Sequence, residues 1–241
     1  MAGLSLISVA APGDASARQA EATLRPSEYT AALIQALRAR AGLVRGSNVL
    51  EIGSGSGVVL AAMGELGAAS LCGVDIESAA VASGALLLHG LGYGDRVELH
   101  HGDMWRPVEG RRFDLIAANL PQFPMEAQAY AGRLPSWSAG GPDGRRLLDR
   151  FLTGLAPHLA PGGRAVLTHN AFVDVEVTRE LIVHSGLSLR VAVTVLVHLP
   201  GEKLELMARN ILLAEEGRSI HRYGRHTFAE VHVVEIGAAL G

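Results

Sequence analysis

The sequence predicts an α/β fold: a doubly wound, mostly parallel sheet of seven strands, the last of them antiparallel. Three observations carry this. Short apolar runs of strand length alternate with longer segments of helical period. Helices placed between strands impose crossover connections, hence parallel pairing with helices on both faces. Finally, three glycines spaced by two follow the first apolar run, at the end of the strand where such sheets bind ligands. A chain of 241 residues, 49% of them hydrophobic, suits one core of this kind.

Element by element, "RPSEYTAALIQALRARAG" carries Leu33, Ile34 and Leu37 at helical spacing and closes on Gly42, so residues 1–46 form an N-terminal helical segment. Residues 47–241 form the main domain. "SNVLEIG" (47–53) is the first strand, "SGVVLAAMGEL" a helix and "SLCGVDI" the second strand. "ESAAVASGALLLHGLG" is a helix with Glu77 and Ser78 at its start. "RVELHHGD" (96–103) and "FDLIAANL" are the third and fourth strands. "PDGRRLLDRFLTGLAPHLA" reads as a helix with Pro142 in its first turn, and "GRAVLTHN" as the fifth strand. A helix over about 172–185, the strand "LSLRVAVTVLVHL", a helix from Gly201 to Glu216 and a closing strand "AEVHVVEI" complete the order.

Composition narrows the function. A formal charge of −3 offers no general attraction to polyphosphate or anionic membrane, which makes nucleic acid an unlikely partner. The single cysteine, Cys72, forms no intrachain disulfide and is expected to pack in the core, which fits a reducing compartment. The opening "MAGLSLISVAAPGDA" has no basic residue before its apolar run, and no segment approaches the ~20 apolar residues of a membrane span. The expected location is the cytoplasm, and the apolar surplus allows a homo-oligomer. The ten histidines form no ligand set by spacing, His100 and His101 pointing to opposite faces of a strand, so no metal is expected.

"VLEIGSGSG" places Glu51, Gly53, Ser54, Gly55 and Gly57 between a strand and a helix. Glycines there permit a tight turn and close approach of backbone N–H groups to a ligand. The third glycine of a dinucleotide fingerprint is missing, since Val58 or Leu60 stands in its place, and no Gly-Lys-Ser/Thr of a phosphate loop is present. Glu51 repels a pyrophosphate but suits a ligand bearing an ammonium group.

From these residues the chain resembles the class I methyltransferases that use S-adenosyl-L-methionine (SAM). The resemblance implies that the glycine loop wraps the methionine portion and that Asp75 binds the ribose hydroxyls. It also implies that Ile76 flanks adenine and that Asp103 and Met104 in "HGDMW" contact it. "NLPQ" (119–122) resembles the N/D-P-P-Y/F motif of enzymes that methylate amide or exocyclic amine nitrogen. A planar nitrogen delocalises its lone pair, so hydrogen bonds taken by its N–H groups must orient it; Asn119 and the backbone at Leu120 are the expected acceptors, with Pro121 fixing the turn. The plainer reading is that Asn119 caps a strand end and Leu120 packs. Leu120 and Gln122 depart from the motif, which leaves a polar Gln122, and Phe123 beside it, to meet the acceptor.

"GGPDG" (140–144), with Arg25 and Pro26, is similar to segments of the HemK-like release-factor glutamine methyltransferases. Only about 46 residues precede the first strand, so the resemblance is carried to fold and cofactor chemistry and not to a protein substrate. The leading expectation is a SAM-dependent N-methyltransferase acting on an amine, amide or guanidine-like nitrogen of a small molecule. The alternatives are a protein glutamine, an RNA base, and an inactive scaffold of the same fold. The long connection from Gln122 to Gly141 offers Phe123, Met125, Tyr130 and Trp137 as pocket lining, or as aromatics packing on themselves. Tyr29 is a candidate cover for the cofactor. Within "SIHRYGRHTF" (219–228), Arg222 and Tyr223, with His221, Arg225 and His226, are candidates to hold a carboxylate or phosphate, or form a solvated loop.

Overall fold

The structure, a computed structural model, describes residues 26–125 and 138–238. Its elements are α1 (Glu28–Ala39), α2 (Ala41–Val44), β1 (Asn48–Ile52), α3 (Val58–Glu65), β2 (Ser70–Asp75), α4 (Ser78–Gly90), β3 (Val97–His101) and β4 (Phe113–Ala118). There follow α5 (Arg146–His158), β5 (Leu159–Asn170), α6 (Val175–Val183), β6 (Leu187–Leu199), α7 (Gly201–Leu206), α8 (Arg209–Glu215), β7 (Ile220–Tyr223) and β8 (His226–Ala238). Arg25, Tyr130 and Trp137 lie outside the described residues.

Seven strands run in the order β3-β2-β1-β4-β5-β8-β6, with β7 as an eighth, paired to β8. The pairings from β3 to β5 are parallel, and β8 is antiparallel to both β5 and β6. Chain order reverses between β1 and β4, so their carboxyl ends diverge to leave the crevice expected of a doubly wound sheet.

Strand alternation splits the core into two layers. Leu50, Ile52, Ile116, Ala118 and Leu167 meet Leu148, Phe151 and Leu155 of α5 on one face. Val49, Leu115, Val166 and Val233 meet Leu33 and Leu37 of α1 on the other. The i, i+4 spacing of these two leucines puts both on the helix stripe that faces the sheet.

Three expectations need correction. Pro142 lies in a turn before α5, not in its first turn. Gly141 and Gly144 adopt φ of +89° and +79°, and Asp143 Oδ1 accepts from the Arg145 N–H at 2.9 Å, which holds the chain out of helix until Arg146. The helix expected from Gly201 to Glu216 is two helices, because buried Met207 is extended and the Ala208 N–H donates to the Pro124 carbonyl at 2.8 Å. The 219–228 stretch is not a loop but the β7–β8 hairpin.

Candidate functional site

A cavity of about 630 Å³ opens at the crevice, within the range of small-ligand sites. Its floor is the loop after β1. Gly53, Gly55 and Gly57 have φ of +74°, +50° and +78°, values that residues with a Cβ rarely adopt, so the alternate glycines are needed for the tight turn, whose N–H groups at Gly53 and Ser54 donate to the Val74 carbonyl at 2.8 and 3.1 Å. Gly57 does not reach the lining. It brings the loop against α4, where a Cβ would come within 3.1 Å of the Gly84 Cα.

Asp75, at the end of β2, ties this loop down. Its Oδ2 accepts from Gly55 N–H and its Oδ1 from Glu77 N–H, both at 2.8 Å. Each carboxylate oxygen keeps a second lone pair for a ligand hydroxyl. Beside it Ile76 is 62% exposed, an apolar surface turned into the cavity. Asp103 and Met104 line the same end, Met104 at φ +51°. Asp103 pairs with Arg150 of α5 at 2.7 Å, two half-exposed groups that bridge β3's turn to α5.

Glu51 is the unusual group. Only 2% exposed, it leaves Oε2 without a hydrogen-bond partner. Burial pushes its carboxyl well above the usual carboxylate range; the Leu60 backbone opposes this, and Asp75 adds to it. A buried acceptor lacking a donor, on the wall of a cavity, fits a ligand ammonium. With Asp75 and exposed Ile76 this donor and acceptor set suits SAM, and Glu51 argues against a pyrophosphate ligand.

The tip of β4 follows from register. Ile52 pairs with Ala118 and Ala118 with Leu167, so Gly53, Asn119 and Thr168 lie side by side one residue further on. Asn119, Leu120 and Pro121 all line the cavity. The Thr168 hydroxyl donates to Asn119 Oδ1 at 2.7 Å, which fixes the orientation of that amide and leaves its second lone pair free. Leu120 packs over Gly53, where a Cβ would stand 3.3 Å from its side chain.

The expected acceptor-facing residues behave differently. Gln122 is 3% exposed and its amide is consumed by backbone: Nε2 donates to Thr168 O at 2.7 Å and Oε1 accepts from Asn170 N–H at 3.1 Å. It is therefore a clamp between β4 and β5, not a substrate ligand. Phe123 is buried edge-on against Phe172 and away from the cavity lining, and Met125 is buried with it. Pro26, Ser27 and Thr30 line the cavity where Tyr29 was expected. One helical residue turns a side chain by about 100°, and Tyr29 is half-buried on another side, its phenol pushed up to about 12 by burial and by Glu28.

Arg222 and Tyr223 sit on the hairpin and not at the cavity. Arg222 pairs with Glu216 and His221 with Glu230 at 2.9 Å, so these two are met locally, and Tyr223 is largely exposed. Sequence reading missed Thr168, Arg150 and the clamp. The available signal for Thr168 was the polar run Thr168, His169 and Asn170 that closes the strand after the apolar residues 165–167.

Residues 49–133 match the family model described as "Methyltransferase domain". A chain from Methanocaldococcus jannaschii, provisionally assigned as a protein N5-glutamine methyltransferase, is 35% identical over 123 residues, covering 50% of this chain and 60% of that one. The release factor glutamine methyltransferase of Moorella thermoacetica is 30% identical over 158 residues, covering 61% and 54%. The chain thus spans a little over half the length of these two curated relatives. Among solved structures, the Thermus thermophilus 16S rRNA N2 G1207 methyltransferase, in complex with AdoMet and guanosine, superposes with a TM-score of 0.55. That match is 21% identical and covers 89% of this chain and 44% of that one.

Proposed function

We propose that this chain, a methyltransferase domain on the class I fold with release-factor glutamine methyltransferases among its relatives, methylates the side-chain amide nitrogen of a glutamine in a protein. The observation that carries the reading is Asn119, on the wall of a cavity that Glu51, Asp75 and Ile76 also line, with its Oδ1 held by Thr168.

In this reading Glu51 takes the ammonium of SAM, Asp75 the ribose hydroxyls, and Ile76, Asp103 and Met104 the adenine. When bound, SAM would supply a methyl made electrophilic by the adjoining sulfonium, which the amide nitrogen would accept with loss of the sulfur–carbon bond and release of a proton to solvent. The free lone pair of Asn119 Oδ1 and the Leu120 backbone carbonyl accept from the amide N–H groups and turn the nitrogen toward the methyl. Their contribution is mainly positional.

The small-molecule acceptor expected from the sequence is not retained, because the two curated relatives carry protein-glutamine names and, among the described residues, none of those expected to face a small acceptor beyond Pro121 lines the cavity. Among the described residues no helix is long and apolar enough to cross a membrane. The test is transfer of labelled methyl from SAM into the protein, RNA and small-molecule fractions of a cell extract. Label in protein, absent with Asn119→Ala, supports the reading; label confined to another fraction overturns the acceptor.

A further inference from the structure

Away from the cavity, at the sheet edge formed by β3, three side chains of metal-ligating type converge. Parallel pairing sets Cys72 opposite Glu98 and Val74 opposite His100, so alternation brings Cys72, Glu98 and His100 to one face of the sheet. Their ligand atoms all lie within 4.8 Å of one another, and Glu98 Oε2 is 3.6 Å from His100 Nε2. Tetrahedral zinc, with bonds of about 2.0–2.3 Å, places its ligand atoms roughly 3.3–3.7 Å apart. The Glu–His pair already has that spacing. Cys72 forms a buried floor, His100 a half-buried wall and Glu98 an exposed rim, so the group opens to solvent.

One cation is already drawn to this point. Arg111 donates to Glu98 Oε2 at 2.8 Å and lies 3.5 Å from His100 Nε2; burial pushes the Cys72 thiol up to about 11, and Arg111 partly opposes this. Three ligand atoms of three chemical types therefore surround a single positive group. Arg111 is 41% exposed and follows Gly110, whose φ is +75°, so it stands on a turn with solvent behind it.

We propose that Cys72, Glu98 and His100 form a binding site for a borderline-soft divalent cation of the Zn²⁺ class, in competition with the Arg111 guanidinium. Sulfur, imidazole and carboxylate together suit Zn²⁺ better than the hard cations Mg²⁺ or Ca²⁺. Cys72 binds as thiolate and gives its proton to solvent, water takes the fourth position, and Arg111 swings outward. The ion joins the edge strand β3 to β2, and His100 stands three residues before Asp103, so occupancy anchors the strand that leads into the cofactor turn.

The test is titration of the full chain with Co²⁺, followed by the thiolate-to-cobalt charge-transfer band and its displacement by Zn²⁺. Cys72 is the one cysteine in the sequence, so the band reports on it alone. The expected result is a saturable one-to-one band in the unmodified protein, lost in Cys72→Ser and weakened in His100→Ala. Binding tightens roughly tenfold in Arg111→Met, where the competing charge is gone. Circular dichroism establishes that each variant is folded. Absence of the band in the folded unmodified protein, its persistence in Cys72→Ser, or its confinement to Arg111→Met overturns the proposal, the last because it makes the guanidinium the native cation.

Discussion

Asn119 and Thr168 form the smallest unit on which the chemistry depends. A Thr168→Val substitution removes the donor that orients the Asn119 amide while keeping the volume at a 1% exposed position. Turnover is expected to fall about fivefold with SAM affinity unchanged, from the loss of one hydrogen bond of roughly 1 kcal/mol. Thr168→Ser restores it, which a packing role would not produce. Glu51 gives a pH test. Its folded pKa is raised above the ordinary 4.5 by burial, so the ligand-free fold keeps this contribution below about pH 4.5 and loses it as pH rises through the raised value. Glu51→Gln is therefore expected to raise the melting temperature of the ligand-free protein at neutral pH and to weaken SAM binding in calorimetry. A loss of stability would contradict the account. Glu51, Asp75 and Asn119 were legible because each lies within one residue of a strand's end and needs only its own segment to be placed. Thr168 was not, since its partner comes from another strand by register.

Between single residues and the sheet stands the segment that holds the β4 tip. Phe123 N–H donates to Ser138 O at 2.8 Å and Gly140 N–H to Phe123 O at 2.7 Å, so the glycine-rich stretch before α5 lies directly against the Asn119 turn. A Cβ on Gly144 would stand 2.5 Å from the Gln122 carbonyl oxygen, at a φ of +79°. Gly144→Ala is expected to cost about 2 kcal/mol or more. In thermal unfolding that is a drop of roughly 4–8 °C, accompanied by lower turnover; an unchanged melting temperature would show that the contact is slack. The similarity of "GGPDG" to a known segment was visible in the sequence, but its physical purpose was not, because the clash that demands glycine at Gly144 is with the carbonyl of Gln122, a residue distant in sequence. The strand over 187–199 was read to the residue from its alternation. The long helix after it was not, since its break answers to Pro124, a residue far away in sequence.

At the scale of the molecule, the parallel half of the sheet builds the cavity, and the antiparallel end brings β8 and β6 against α1. Leu33 and Leu37 are fully buried against β1, β4, β5 and β8, which ties the N-terminal helix to the main core. Leu37→Ala is expected to destabilise the whole chain by about 2–5 kcal/mol in a single transition. A separate early transition would mean that α1 folds independently of the sheet. The mostly parallel sheet with an antiparallel closing strand came from alternation and crossover rules, which act on whole elements, whereas the order of the strands was not read from the sequence. The eighth strand escaped because four residues rich in His and Arg carry no apolar period.

The central claim is that Asn119 presents a glutamine amide to the methyl of SAM. Its most direct test is tandem mass spectrometry of a glutamine-containing protein substrate, selected by label transfer, after reaction with the unmodified chain and with Asn119→Ala. The account predicts one added methyl on the side-chain amide nitrogen of glutamine, with the rate reduced about 10²-fold or more in the variant and SAM binding retained. A methyl found on another atom, or an equal rate in Asn119→Ala, would contradict it.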